Sequence, residues 1–178
     1  MQTPNYELEI VDSPVIYKRS QNFNGFNLEY PTKDGLEKAK KGNIEIRENA
    51  KISVVFQEDR LIPTLSVLKN VALFSNPDKA KEILCRLSLC DELEHYPDEL
   101  SGGMKARVSL ARALAISDAQ LYIFDEPFAS LDAETARLCA RVIRARTAGA
   151  LCLAVIHDTE LAHEISDAVL YCKGSPLS

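Results

Sequence analysis

Nothing in these 178 residues stays apolar for long. The longest hydrophobic run, Ala150–Ile156 (ALCLAVI), falls well short of the ~20 residues a bilayer-spanning helix needs. No spanning segment is predicted. Met1–Ile10 (MQTPNYELEI) has neither a basic n-region nor an apolar h-region, so no secretory signal is expected. A basic excess is also missing: 21 Lys and Arg stand against 26 Asp and Glu, for a net charge of −5. That balance argues against a broad nucleic-acid face, and no nucleic-acid partner is expected. Cysteine is present five times but never as C-x-x-C. The odd count without a secretion signal predicts reduced thiols. Cys85 and Cys90 are near enough in sequence to pair or bind metal, although no His or Cys set at zinc spacing joins them. There is no internal repeat, low-complexity stretch or long heptad pattern. What remains is a chain long enough to bury one core.

The C-terminal half reads as α/β. Leu121–Phe124 is a short, β-prone apolar run that ends at Asp-Glu-Pro, as a buried strand would. Asp132 has the character of an N-cap, with Glu134 in the first turn of a helix that runs to about Arg146. Its apolar positions Leu138, Val142 and Ile143 lie opposite Arg137, Arg141 and Arg144, and Gly149 suits the position after its end. Leu151–Ile156 is a second strand, Thr159–Ser166 a short helix and Ala168–Cys172 a third strand. This alternation predicts a parallel sheet flanked by helices. Residues 61–118 differ. Pro63-Thr64 opens a helical run, LSVLKNVALF, and Asn76-Pro77 opens another with Asn as cap and Pro at the first helical position. The middle therefore reads as a helical subdomain inserted in an α/β core made of residues 1–60 and 119–178. Val54–Phe56 and Ile44–Ile46 are candidate strands in the N-terminal part.

Asp125 and Glu126 fall at the C-terminal end of the first buried strand, the edge where ligands bind in open α/β sheets. Adjacent acids there can divide the work, one serving Mg²⁺ and the other polarising a water. His157 ends the next strand, and Gln57 follows the run SVVF. Ser101-Gly102-Gly103 precedes an apolar helical pattern, and a helix start offers free N–H groups and the positive end of the dipole to an anion. His95 and His163 have no such placement and read as surface residues.

In order, the chain shows Gln after a strand, a helical insert, Leu-Ser-Gly-Gly before a helix, apolar-Asp-Glu-Pro, Ser-Leu-Asp, and His after a strand. This series resembles the ATP-binding cassette (ABC) ATPase family over about residues 42–171. Gln57 matches the Q-loop, Leu100–Met104 the signature, Leu121–Glu126 Walker B, Ser130-Leu131-Asp132 the D-loop and His157 the switch histidine. Met104 stands where the family more often has Gln. That variant, with VVFQEDRLIPTLSVLKNVAL and DEPFASLD, looks like the importer cassettes for nitrate, sulfonate and taurine. The resemblance implies a P-loop NTPase-like fold, ATP and Mg²⁺ as ligands, and Glu126 activating water while His157 senses the γ-phosphate. Asp125 and Gln57 would serve the metal. Ser101, Gly102, Gly103, Gln57 and Asp132 would lie around nucleotide.

One family element has no counterpart. No Gly-Lys-Ser or Gly-Lys-Thr occurs, although such a loop wraps phosphates with backbone N–H groups and reaches them with its Lys. Spacing back from Gly35–Ile46 puts Ser20–Asn27 on the loop. Gly25 alone then fits; Phe26 stands at the Lys position and Asn27 at the hydroxyl position. Pro31 falls in the following helix, at a cost of about 3 kcal/mol. Nineteen residues precede Ser20, so the antiparallel β region is expected to be short, and only Tyr6 and Tyr17 offer themselves for stacking on adenine.

The expectation is a single cassette domain over residues 1–178, at the inner face of the cell membrane through a transmembrane permease. Because two cassettes of this family pack head to tail, Ser101–Gly103 would face an ATP held by a second cassette, identical or different. A non-catalytic or regulatory remnant is the alternative; a DNA-repair cassette fits poorly with the acidic charge.

Overall fold

The computed structural model describes residues 50–169, together with the backbone of residues 15–18, 30–32 and 35–37. Seven strands and five α-helices are formed there: β1 (Val15–Lys18), β2 (Tyr30–Thr32), β3 (Gly35–Glu37), β4 (Ile52–Val55), α1 (Val67–Ala72), α2 (Pro77–Arg86), α3 (Gly102–Ala115), β5 (Leu121–Asp125), α4 (Ala133–Arg146), β6 (Leu151–Val155), α5 (Thr159–Ile165) and β7 (Ala168–Val169). Two 3₁₀ turns, Cys90–Glu92 and Pro97–Glu99, link α2 to α3.

β4, β5 and β6 run parallel, in register Val55 to Phe124 and Phe124 to Ala154. The sheet continues as β4-β5-β6-β1-β7. β1 pairs antiparallel with both β6 and β7. β7 is thus separated from β6 by β1, where the alternation of elements alone would have set them side by side. β2 and β3 form a separate antiparallel pair. The candidate strand at Ile44–Ile46, the loop Ser20–Asn27 and Cys172 lie outside the described residues, as do Tyr6 and Gly25.

Local chemistry explains the element ends. Asn76 caps α2 by accepting from the Lys79 amide at 2.8 Å, with Pro77 at the first helical position. Asp132 caps α4 through the amides of Glu134 and Thr135, and Gly149 takes a left-handed φ of +83° beyond its end. α1 is shorter than its apolar pattern: its cap is Ser66, not Thr64. The residues before it are held instead by Asn70, which is fully buried. Its side-chain amide accepts from the Ile62 N–H and donates to the carbonyls of Ile62, Leu65 and Ser66.

One apolar cluster joins the helical and sheet parts, from Val67, Ile83 and Leu84 through Leu110 and Leu114 to Phe124, Cys139 and Ile165. α3 is common to both, and Ser53 on β4 donates its hydroxyl to the Ala113 carbonyl at 2.8 Å. Among the described residues no helix is long and apolar enough to cross a membrane.

The cysteines depart from expectation at one place. Cys85 and Cys90 form a disulfide. α2 ends one residue past Cys85, and the chain doubles back at Ser88, whose φ is +56°, so sequence neighbours five apart meet. Cys139 is buried, and burial pushes its thiol up to about 11.

Candidate functional site

Parallel pairing sends the C-terminal ends of β4, β5 and β6 to one edge of the sheet. Three of the predicted residues meet there. Asp125 ends β5 opposite Val155, two residues before His157. Glu126 follows with a left-handed φ of +47°, uncommon for a non-glycine residue and costing about 1–3 kcal/mol. Its N–H donates to the Val155 carbonyl at 3.1 Å, and its carbonyl accepts from Ala129 at 3.2 Å. Those bonds hold the backbone in place and turn the carboxylate toward β6, where Glu126 Oε1 and His157 Nε2 share a hydrogen bond of 2.6 Å. The Glu126 side chain is 24% exposed and that of His157 is 70% exposed, so one end of the pair is sheltered and the other open.

Asp125 is held above the usual carboxylate range. Burial is the main cause, and the neighbouring Glu126 charge adds to it. A half-buried carboxylate beside a second negative charge has the oxygen chemistry that a hard divalent cation such as Mg²⁺ takes, and among the described residues no group of three or more His, Cys, Asp or Glu is arranged to hold a metal ion by itself. Gln57 is exposed beyond β4 on the same edge.

The second group lies where α3 begins. Ser101 caps the helix, accepting from the Met104 amide at 3.2 Å, and both Ser101 and Gly102 are exposed. A Cβ on Gly102 would meet nothing within 4 Å, whereas one on Gly103 would stand 3.0 Å from the Ser130 carbonyl oxygen and 3.5 Å from Leu131. The start of α3 therefore packs on the Ser130-Leu131-Asp132 turn. Gly103 has a packing reason to lack a side chain. Asp132 is exposed and its carboxyl is held below its ordinary range, first by the Thr135 amide and then by the Thr135 hydroxyl. Asp132 makes the contacts of the helix cap that its place in the sequence predicts.

Two arginines that the sequence reading passed over tie these groups together. Arg112 donates to the carbonyls of Arg60 and Asp59, at 2.8 and 3.0 Å, and so fastens the segment after Gln57 to α3. Arg107 donates to Leu87 and Ser88. Their partners lie 52–53 and 19–20 residues away, beyond any local sequence signal. His95, expected at the surface, is exposed and pairs with Glu92.

Because β1 runs antiparallel, Val15 lies beside Val155 near the acidic edge, and Lys18 beside Cys152.

A parallel sheet between helices, with paired acids and a histidine along one edge and a glycine-started helix packed on the next turn, defines a P-loop NTPase-like domain. The profile of the family described as "ABC transporter" matches residues 27–129, and the chain belongs to that family. It is 40% identical to the aliphatic sulfonates import ATP-binding protein SsuB of Corynebacterium glutamicum, over 76% of this chain and 59% of that protein. To SsuB 2 of Frankia alni it is 35% identical, over 96% of this chain and 71% of that one. The arginine transport ATP-binding protein ArtM of Bacillus subtilis is 31% identical, over 76% and 60%. Among solved structures, the dimeric MJ0796 ABC transporter cassette superposes with a TM-score of 0.60 at 28% identity, covering 71% of this chain and 65% of that one. A related structure of that cassette is described as a post-hydrolysis state bound to ADP and Pi.

Proposed function

We propose that this chain acts as an ATP-binding subunit of a solute importer, and that its exposed α3 start completes an ATP site held by a partner cassette. The observation that carries this reading is a contrast. Ser101 and Gly102 stand open at the N-terminus of a 14-residue helix, while the sequence holds no Gly-Lys-Ser or Gly-Lys-Thr. A helix start with free N–H groups suits a phosphate supplied from outside the chain. The likeness to sulfonate-import and arginine-transport ATP-binding proteins supports the importer role. The dimeric relative supports a second cassette as partner.

Glu126 and His157 carry the chemistry in this reading. With His157 holding its Oε1, the Glu126 carboxylate is oriented to take a proton from a water at the sheet edge. Asp125 and Gln57 are the residues placed to hold Mg²⁺, which would neutralise phosphate charge. The chain is read as one cassette domain, with residues 61–118 as its helical subdomain and residues 1–60 and 119–178 as its core. It would dock on a permease at the cytoplasmic side of the membrane.

The test is ATP-dependent association with a cassette encoded beside it, followed by size-exclusion chromatography. Wild type should shift to a dimer with ATP, and Gly102→Asp should not, because a carboxylate facing phosphate adds repulsion of order 1 kcal/mol or more. Gly102 is the informative position. At Gly103, a new side chain would strike Ser130 and confuse loss of binding with local damage. Equal association of both proteins, or none by either, favours the inert remnant.

A further inference from the structure

Cys85 and Cys90 close a short ring at the corner between α2 and α3. Their Cα atoms are 4.3 Å apart. Cys90 is exposed and Cys85 half-buried, so a reagent in solvent can reach the bond. Inside the ring the chain turns at Ser88, with φ +56°. The carbonyls of Leu87 and Ser88 both accept from Arg107 Nη1, at 2.8 and 2.9 Å. Arg107 Nε donates in turn to the Gly103 carbonyl at 3.4 Å. Gly103 packs on the Ser130 carbonyl. A continuous run of contacts therefore leads from the disulfide to the first turn of α3.

We propose that Cys85–Cys90 is a thiol–disulfide exchange site whose redox state sets how firmly this corner holds the first turn of α3. The reductant is a dithiol, small or protein-borne. One of its thiolates attacks the exposed Cys90 sulfur, forming a mixed disulfide and expelling Cys85 as a thiolate that takes up a proton. The second thiol of the reductant then attacks the mixed disulfide and releases Cys90 as a thiol. Two electrons pass to the protein, and the reductant leaves as its own disulfide. A low-molecular-weight disulfide reverses the sequence. Once the ring opens, the turn at Ser88 loses its covalent closure and rests on two backbone bonds, Ser88 N–H to the Cys85 carbonyl at 3.1 Å and Leu89 N–H to the Leu84 carbonyl at 3.0 Å, so the two carbonyls that Arg107 holds open more readily. An accessible pair of this kind responds to the thiol balance around it, as exposed disulfides inside cells do.

Neither readout of the test needs nucleotide, so it stands or falls apart from the ATP-site reading. The full chain is equilibrated with reduced or oxidised dithiothreitol, labelled with a maleimide, and mapped by peptide mass. Hydrogen exchange is followed at the amides of residues 104–107. Cys85 and Cys90 should become labelled together in reduced protein only. The four amides should exchange about tenfold faster after reduction, as a local opening is eased. Cys90→Ser, at an exposed position, should show the fast rate in both buffers; Cys85→Ser provides the same comparison should Cys90→Ser fail to fold. Full labelling of both cysteines in the oxidised buffer overturns the proposal. So does a disulfide whose reduction leaves exchange at residues 104–107 unchanged.

Discussion

Adjacent glycines at the start of α3 have opposite surroundings. Gly102 faces open space, and Gly103 is pressed on the Ser130 carbonyl. Gly103→Ala should therefore destabilise the protein by about 1–3 kcal/mol, the cost of forcing atoms into a filled site. Gly102→Ala should lie within about 1 kcal/mol of wild type on the stabilising side, because alanine favours the helix. Urea unfolding midpoints of the two variants decide this, and the reverse order would show that the Ser130 carbonyl yields to a side chain at position 103. Asp125 makes a second prediction at this scale. Its carboxyl is held above the usual range by burial and by Glu126, so the folded state takes up its proton more readily than the unfolded one. Stability is then lost as pH rises through the folded-state value, and the charge opposes folding at neutral pH. Asp125→Asn should raise Tm by about 1–2 °C at pH 7. The gain should vanish below the ordinary value of 3.8. A gain of the same size at both pH values would mean that packing, not charge, is responsible.

Helical elements here are held at their ends and corners by polar side chains as well as by apolar faces. Asn70 is the clearest case: its amide satisfies the backbone on both sides of Pro63 and fixes the approach to α1. Asn70→Ala would leave the Ile62 amide and several carbonyls without that partner. The loss should be about 2–3 kcal/mol, read by thermal or urea unfolding. A loss below about 0.5 kcal/mol would mean that water replaces the side chain. Arg107 and Arg112 hold corners on a larger span, fastening the α2 end and the segment after Gln57 to the same helix. α3 thus carries the exposed Ser101-Gly102 start, the shared core and both of these ties.

For the whole molecule, the sharpest expectation concerns nucleotide. If Phe26 stands at the Lys position, as proposed, the absent charge-assisted contact, worth about 1.5–3 kcal/mol, corresponds to about 10- to 150-fold weaker ATP binding. The isolated chain should bind ATP weakly and show no Mg²⁺-dependent turnover above background. On the same placement of the loop at Ser20–Asn27, which also lacks the first glycine and the hydroxyl residue, Phe26→Lys alone should not restore it. Ordinary micromolar binding with turnover that disappears in Glu126→Gln would mean that the chain has a phosphate cradle elsewhere.

By itself, the sequence determined whatever depends on near neighbours. Asn76 and Asp132 cap helices because their side chains reach amides two or three residues on. The short apolar runs ending at Asp125 and before His157 are strands because buried parallel strands need little else. The order of Gln57, Ser101–Gly103, Asp125-Glu126, Asp132 and His157 was enough to mark an ABC cassette. Tertiary structure decided whatever depends on separation. Glu126 meets His157 across 31 residues, and Gly103 meets Ser130 across a turn that no periodicity encodes. The direction of β1 was equally hidden, since a four-residue strand pairs either way until its neighbours are known. The Cys85–Cys90 bond lies between these cases. The spacing permitted it, and the left-handed turn at Ser88 brought the two sulfurs together.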